Sequence, residues 1–318
     1  MDQSQRMKEK FKIIFFGTPE FAVPSLKWLI KNDYKIAACV TRPDKPKGRD
    51  LNIRFSPVKK LAKKNNLKIL QPEKINDPTF IKTLKEINPA LFVVVAYGKI
   101  LPKKIIDLPM FGTLNVHASL LPKYRGASPI HYALLNGDKK TGVTIMKMDE
   151  HMDTGPILSQ LEIDIDKEEN LSSLHDKLAQ EGAQLLTNTL PGYFSYDINL
   201  EKQDESEASY TKILKKEDGR INWSKSAQEI ENKIRAFNPW PGTFSYYKNS
   251  LIKIKEGEAT DQPSGKKPGY LFYKNDKIFV TTKTNLFEIK KIQLSGKKAL
   301  GASDFINGQK EFNGIYLN

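Results

Sequence analysis

The sequence predicts an α/β protein built on a mostly parallel sheet, followed by a smaller all-β domain. Three observations carry that expectation. Short apolar runs alternate with stretches of helical period through the first 190 residues, the pattern of consecutive strand–helix–strand units. Residues 91–96 are apolar at every position, as expected of a central parallel strand covered on both faces. Further on, short alternating segments separated by glycine turns run to the end of the chain, which suits a small β-barrel.

The elements follow in order. Residues 11–17 form an apolar run closed by Gly17, a buried first strand. Thr18, Pro19 and Glu20 then open a helix to about Ile30, with Phe21, Leu26, Leu29 and Ile30 apolar. Residues 36–41 make a second strand around Cys39. This order requires a right-handed crossover and a Rossmann-like sheet. The spaced glycines of a dinucleotide fingerprint are absent after Gly17, and Pro19 removes an amide that would face a pyrophosphate, so a nicotinamide enzyme is disfavoured.

Residues 41–60 carry three prolines and a dense set of cations, among them Arg42, Lys45, Lys47 and Arg49. A loop of this length inside a compact domain is functional or disordered. Its cations suit a phosphate chain, and equally a solvated surface. Helices are expected at 56–64, 77–87, 127–135 and 171–190, and strands at 67–70, 141–148 and 157–163. The domain boundaries that follow are 1–190, a polar linker at 191–208, and 209–318.

The chain of 318 residues carries a net charge of +14 with a pI of about 9.4, which points to an acidic partner. Nucleic acid is the first candidate; an anionic membrane surface or a general lysine bias are the others. From residue 209 onward there are 20 basic against 11 acidic residues, a large share of the excess. A single cysteine excludes an internal disulfide, and with four scattered histidines no metal site is expected. The polar amino terminus lacks the apolar stretch of a signal peptide, and no run of about 18 apolar residues occurs. A cytoplasmic protein with no membrane contact is expected.

The chemistry concentrates between residues 113 and 155. On a strand, Asn115 and His117 are two residues apart and leave the same face, placing a carboxamide beside an imidazole. The chain turns through Pro122, Arg125 and Gly126, and a later loop, Met152-Asp153-Thr154-Gly155-Pro156, returns a carboxylate. A fixed donor, a side chain that gains or loses a proton near neutrality and an acid that orients it suit attack of an amine on a carbonyl. Taken singly, each residue has a plain structural alternative: a turn asparagine, a satisfied core histidine, a capping aspartate.

The run from Asn115 to Ile130, with Met-Asp-Thr-Gly-Pro downstream, resembles the folate-dependent formyltransferases. Gly17-Thr18-Pro19-Glu20-Phe21-Ala22, the phrase from Tyr97 to Pro102 and the segment from Ile234 to Phe244 are similar to the same family. The resemblance implies that Asn115, His117 and Asp153 are catalytic and that Ser119, Leu120, Leu121 and Pro122 lie at the folate site. It implies an OB-like carboxyl-terminal barrel that binds tRNA, and a loop carrying Arg42, Lys45, Lys47 and Arg49 that enters the acceptor arm. The reaction implied is transfer of the formyl group of 10-formyltetrahydrofolate to the amino group of initiator methionyl-tRNA in translation initiation, by a monomer without a metal. Two departures stand out: His151 where the family has glycine, and Asp50, Leu51, Asn52 and Ile53 where it has lysines after the loop arginine. The alternatives are a formyltransferase acting on a nucleotide-linked amino sugar or glycinamide ribonucleotide, and an RNA-binding protein without catalysis. For Trp240 a structural role, as a buried anchor of the domain interface, is the expectation.

Overall fold

The computed structural model describes residues 11–46, 53–248 and 250–318. By contacts the chain divides into two compact units, one of residues 1–126, 140–164 and 175–211, the other of residues 127–139, 165–174 and 212–318.

The first unit is organised by a seven-stranded sheet. Its strands are β1 (Ile13–Gly17), β2 (Ile36–Val40), β3 (Ile69–Leu70), β4 (Leu91–Val95), β5 (Thr113–His117), β6 (Lys140–Lys147) and β7 (Ile157–Asp164), in spatial order β7-β6-β5-β4-β1-β2-β3. The first five in sequence are parallel to one another; β6 runs antiparallel to β5, and β7, antiparallel to β6, returns to the direction of the first five. The apolar runs sit centrally because burial on both faces requires apolar residues at every position, and β1 and β4 are buried throughout. Helices α1 (Val23–Lys31), α2 (Pro57–Lys64) and α3 (Pro78–Ile87) begin where local chemistry starts them. Pro57 and Pro78 occupy first-turn positions that need no amide donor, and Ser56 and Asp77 accept N–H groups of that turn.

β5 fixes the pair singled out from sequence. It lies between parallel β4 and antiparallel β6, so Asn115 stands opposite Val94 on one side and Met146 on the other, and His117 opposite Thr144.

The second unit is an antiparallel barrel of β8 (Thr243–Tyr247), β9 (Ser250–Pro263), β10 (Tyr270–Lys274), β11 (Lys277–Thr281), β12 (Asn285–Leu294), β13 (Leu300–Gly301) and β14 (Ile315–Tyr316), in the order β8-β9-β12-β11-β10-β14 with β13 on β12. Reciprocal bonds between Tyr246 and Asn318, at 3.0 and 2.8 Å, tie residue 318 back to the first strand and nearly close the sheet. Ile252, Ile254, Leu271, Val280, Phe287 and Ile289 fill the interior. In this unit α4 (Pro129–Asn136) packs against α6 (Ala227–Phe237). Between them in sequence, α5 (Leu171–Phe194) is the longest helix described.

Three expectations need correction. The helix expected at 171–190 continues through Pro191 to Phe194, because Tyr193 and Phe194 are buried against Phe111 and that burial outweighs the lost amide donor. The polar stretch after it is packed rather than loose: Glu201 bridges to Ile157 and Gln203 is buried. Trp240 is 52% exposed, with its ring edge-on to His131; the buried aromatics of this region are Phe237 and Trp223, whose indole N–H donates to Ser245 at 2.9 Å. Among the described residues no helix is long and apolar enough to cross a membrane.

Candidate active site

His117 is almost fully buried, with two partners held by different parts of the first unit. Its Nε2 lies 3.0 Å from the backbone oxygen of Tyr124. A carbonyl only accepts, so Nε2 carries the hydrogen and the lone pair of a neutral ring sits on Nδ1. That Nδ1 faces Asp153 Oδ2 at 3.6 Å, an ion-pair distance rather than a hydrogen bond. The ring is thus set so that a proton arriving on Nδ1 meets a carboxylate at once.

Both partners depend on left-handed backbone. Tyr124 has φ 61° and Asp153 φ 55°, a region that costs a side-chain-bearing residue about 1 kcal/mol or more. Strain of this kind persists only where surrounding bonds over-determine it. The Asp153 carboxylate accepts the Gly126 N–H at 2.8 Å, and Gly126 is itself required: it has φ +111°, and a Cβ there would come within 2.7 Å of the Thr211 oxygen.

Asn115, half-buried on the same face as His117, has no hydrogen-bond partner for its carboxamide among the described residues. A donor left free beside an imidazole is what an incoming carbonyl oxygen needs. The residues expected at the folate site form a tight turn after β5. Ser119 is buried and donates to the Lys123 oxygen at 2.6 Å, while Leu121 is buried and its N–H donates to Thr144 Oγ1 at 3.1 Å. Leu120 and Pro122 are half-buried, and of this turn they are the side chains reachable from outside.

Of the loop residues, Arg42 is exposed, and its guanidinium lies over Gly98, in the phrase that follows β4. Lys45 belongs to the two-residue strand Lys45–Pro46, paired with Ile53–Arg54. Lys47 and Arg49 lie outside the described residues. His151 is exposed and takes part through its backbone, its N–H donating to Asp149 at 3.0 Å.

Two supports were not anticipated. Thr144 Oγ1 donates to the Ser119 oxygen at 2.7 Å and ties the turn to β6. Arg125, noted before only as a turn residue, is fully buried with its guanidinium bonded to Gln203, Glu205 and Tyr210. Glu205 holds the guanidinium charged, and Arg125 in turn keeps the Glu205 carboxyl below its usual range. Arg125, in the polar and glycine-containing turn Lys123-Tyr124-Arg125-Gly126, and Gln203, in a polar stretch, gave no sequence signal of burial.

The family model described as formyl transferase matches residues 10–190, and that described as formyl transferase, C-terminal domain, matches residues 213–310. The methionyl-tRNA formyltransferase of Thermodesulfovibrio yellowstonii is 48% identical over 303 residues, covering 95% of this chain and 97% of that protein. Its namesake from Caldanaerobacter subterraneus subsp. tengcongensis is 44% identical over 307 residues, covering 96% and 99%. Among solved structures, a sugar 3N-formyl transferase crystallised with dTDP and 5-N-formyl-THF shares the fold at a TM-score of 0.67 and 23% identity, over 91% of this chain and 100% of that one. With both family models matched in order and relatives of this identity along nearly its whole length, the chain belongs to the formyl transferase family, among the methionyl-tRNA formyltransferases.

Proposed function

We infer that the protein transfers a formyl group to the amino group of initiator methionyl-tRNA, with 10-formyltetrahydrofolate as donor, in translation initiation. The observation that carries this reading is the free carboxamide of Asn115 beside a His117 ring whose Nε2 meets the Tyr124 oxygen and whose Nδ1 faces Asp153. The aminoacyl amine attacks the formyl carbon, and the carbonyl oxygen becomes an oxyanion that accepts from the Asn115 carboxamide. The amine proton passes to His117 Nδ1, directly or through water, where Asp153 stabilises the imidazolium. A hydrogen-bond donor on Nδ1 then faces the same centre. As the bond from the formyl carbon to the folate nitrogen breaks, that nitrogen takes the proton and the site returns to its starting state. Leu120 and Pro122 are the side chains of the folate turn placed to meet the donor.

Binding of tRNA is assigned to the loop at 42–49 and to the barrel. On the barrel, Tyr270 stacks with Phe272 at 5.8 Å and Phe272 with Phe279 at 5.7 Å, while Lys266 sits 3.8 Å over the Tyr270 ring. Phe279 is buried beneath this pair, and Tyr270, Phe272 and Lys266 border a groove of about 520 Å³ that also includes Lys274. Aromatic platforms flanked by lysines suit a nucleic-acid strand, since bases stack on one and phosphates pair with the other. The catalytic part is read as 1–190 and the tRNA-binding part as 209–318.

The test compares acceptors. Purified protein given 10-formyltetrahydrofolate is expected to formylate methionyl-tRNA and to leave a nucleotide-linked amino sugar unmodified, with apparent affinity for the tRNA falling steeply as salt rises. Preference for the amino sugar, or tRNA affinity indifferent to salt, would replace this reading with the sugar-modifying one.

A further inference from the structure

We propose that Gln203, oriented by Arg125, is a positioning residue for Asp153 and so for the proton-accepting face of His117. This rests on the formyl-transfer reading above. Gln203 Nε2 donates to the backbone oxygens of Asp153 at 2.9 Å and Gly155 at 2.7 Å, bracketing the strained residue and its loop. A carboxamide makes both bonds only with its oxygen turned the other way. Arg125 fixes that choice, because its Nε and Nη2 both donate to Gln203 Oε1, at 3.0 and 2.8 Å, and a flipped amide would oppose donor to donor. Arg125 is fixed in turn by a two-pronged pair with Glu205, both contacts at 2.8 Å, and by Tyr210 at 3.0 Å.

The need for such a prop follows from the loop. One hydrogen-bond donor among the described residues, the Gly126 N–H, reaches the Asp153 carboxylate, so its aim depends on where its own backbone is held. The same strap supports the other half of the site. Ser209 accepts the Tyr124 N–H on its hydroxyl and the Arg125 N–H on its carbonyl, both at 2.8 Å, which places the Tyr124 oxygen that orients His117. Residues 203–211 therefore brace both partners of the imidazole from behind without touching the reacting atoms.

The experiment uses the full chain. Gln203→Glu keeps an acceptor for Arg125 and sets carboxylate oxygen against two carbonyls; Gln203→Met removes the amide at similar volume. Each is expected to lower kcat by about ten- to a hundredfold, the scale of a misplacement of roughly 1 Å, with KM for both substrates within about twofold. In an Asp153→Ala background the same substitutions should add almost nothing, since they act through the residue already removed. The imidazole 1H–15N spectrum of His117 in Gln203→Glu should move toward that of Asp153→Ala. Unchanged turnover, an equal loss in both backgrounds, or a His117 spectrum like that of the parent would each overturn the proposal. If Gln203→Met does not fold, Gln203→Glu carries the comparison. Because the spectrum is independent of turnover, a protein that fails to formylate methionyl-tRNA breaks the functional reading while this one is still decided.

Discussion

Asn115 and His117 stand on a strand with hydrogen-bonded neighbours on both sides, whereas Asp153 stands on a loop whose course is set by side chains. On β5 the position of each side chain is fixed by register, and a shift of one residue would turn the whole strand over. In the loop no register exists. Asp153 is held by one backbone N–H from Gly126 and by the Gln203 amide on its carbonyl, while its backbone remains in the left-handed region. The ladder gives placement that tolerates substitution of most neighbours. The loop gives placement that a few distant residues can undo.

The largest expected effect tests the two sides together. Asn115→Ala, His117→Ala and Asp153→Ala are each expected to reduce kcat by about two to four orders of magnitude, the usual scale for one polar catalytic group. Near-parental rates in any two of them, measured with saturating methionyl-tRNA, would remove the roles assigned. The comparison sharpens if the folds respond alike, since none of the three is needed to form β5 or its ladder.

A smaller effect is expected from striking only the loop side. Gly126→Ala places a methyl group 2.7 Å from the Thr211 oxygen at φ +111°, so it should destabilise the protein by about 1–3 kcal/mol and displace the N–H that holds Asp153. Gly265→Ala, with nothing within 4 Å of the new methyl, is the control. Urea denaturation that cannot distinguish the two variants would mean the strap yields easily.

The smallest belongs to regular structure in the barrel unit. Ser226 and Glu229 form a reciprocal cap at the start of α6, and the amide and hydroxyl of Ser226 with Lys225 hold the Glu229 carboxyl at about 2 instead of 4.5. A carboxyl lowered by folding stabilises the folded state above its unfolded value. That contribution fades as pH falls from 4.5 toward 2. Glu229→Gln should therefore be less stable than the parent at neutral pH, by under about 1 kcal/mol, with the gap closing in acid. Parallel melting curves across that range would count against the cap.

Much of the fold was legible from residue patterns. The apolar runs of β1 and β4 named the buried centre of the sheet, and Asn115 and His117 could be paired because strand geometry converts a spacing of two into a shared face. The residues 191–208, polar enough to look like a linker, hid the buried Gln203 because its partners are two backbone oxygens and an arginine some 78 residues away in sequence. Trp240 misled in the opposite sense: a large apolar ring between two prolines looked like an anchor, yet Phe237 takes the buried place.

By itself, then, the order of residues determined what is local or periodic: the strands, the helix starts, the family, and a carboxamide and imidazole on one face. Tertiary structure alone decided which nitrogen of His117 carries its hydrogen, that Asp153 arrives at the other, and that Arg125 and Gln203 hold it there. The reason is physical. Periodicity records how a segment meets the core, whereas a hydrogen bond between distant segments depends on donor and acceptor directions that exist only once both have been placed.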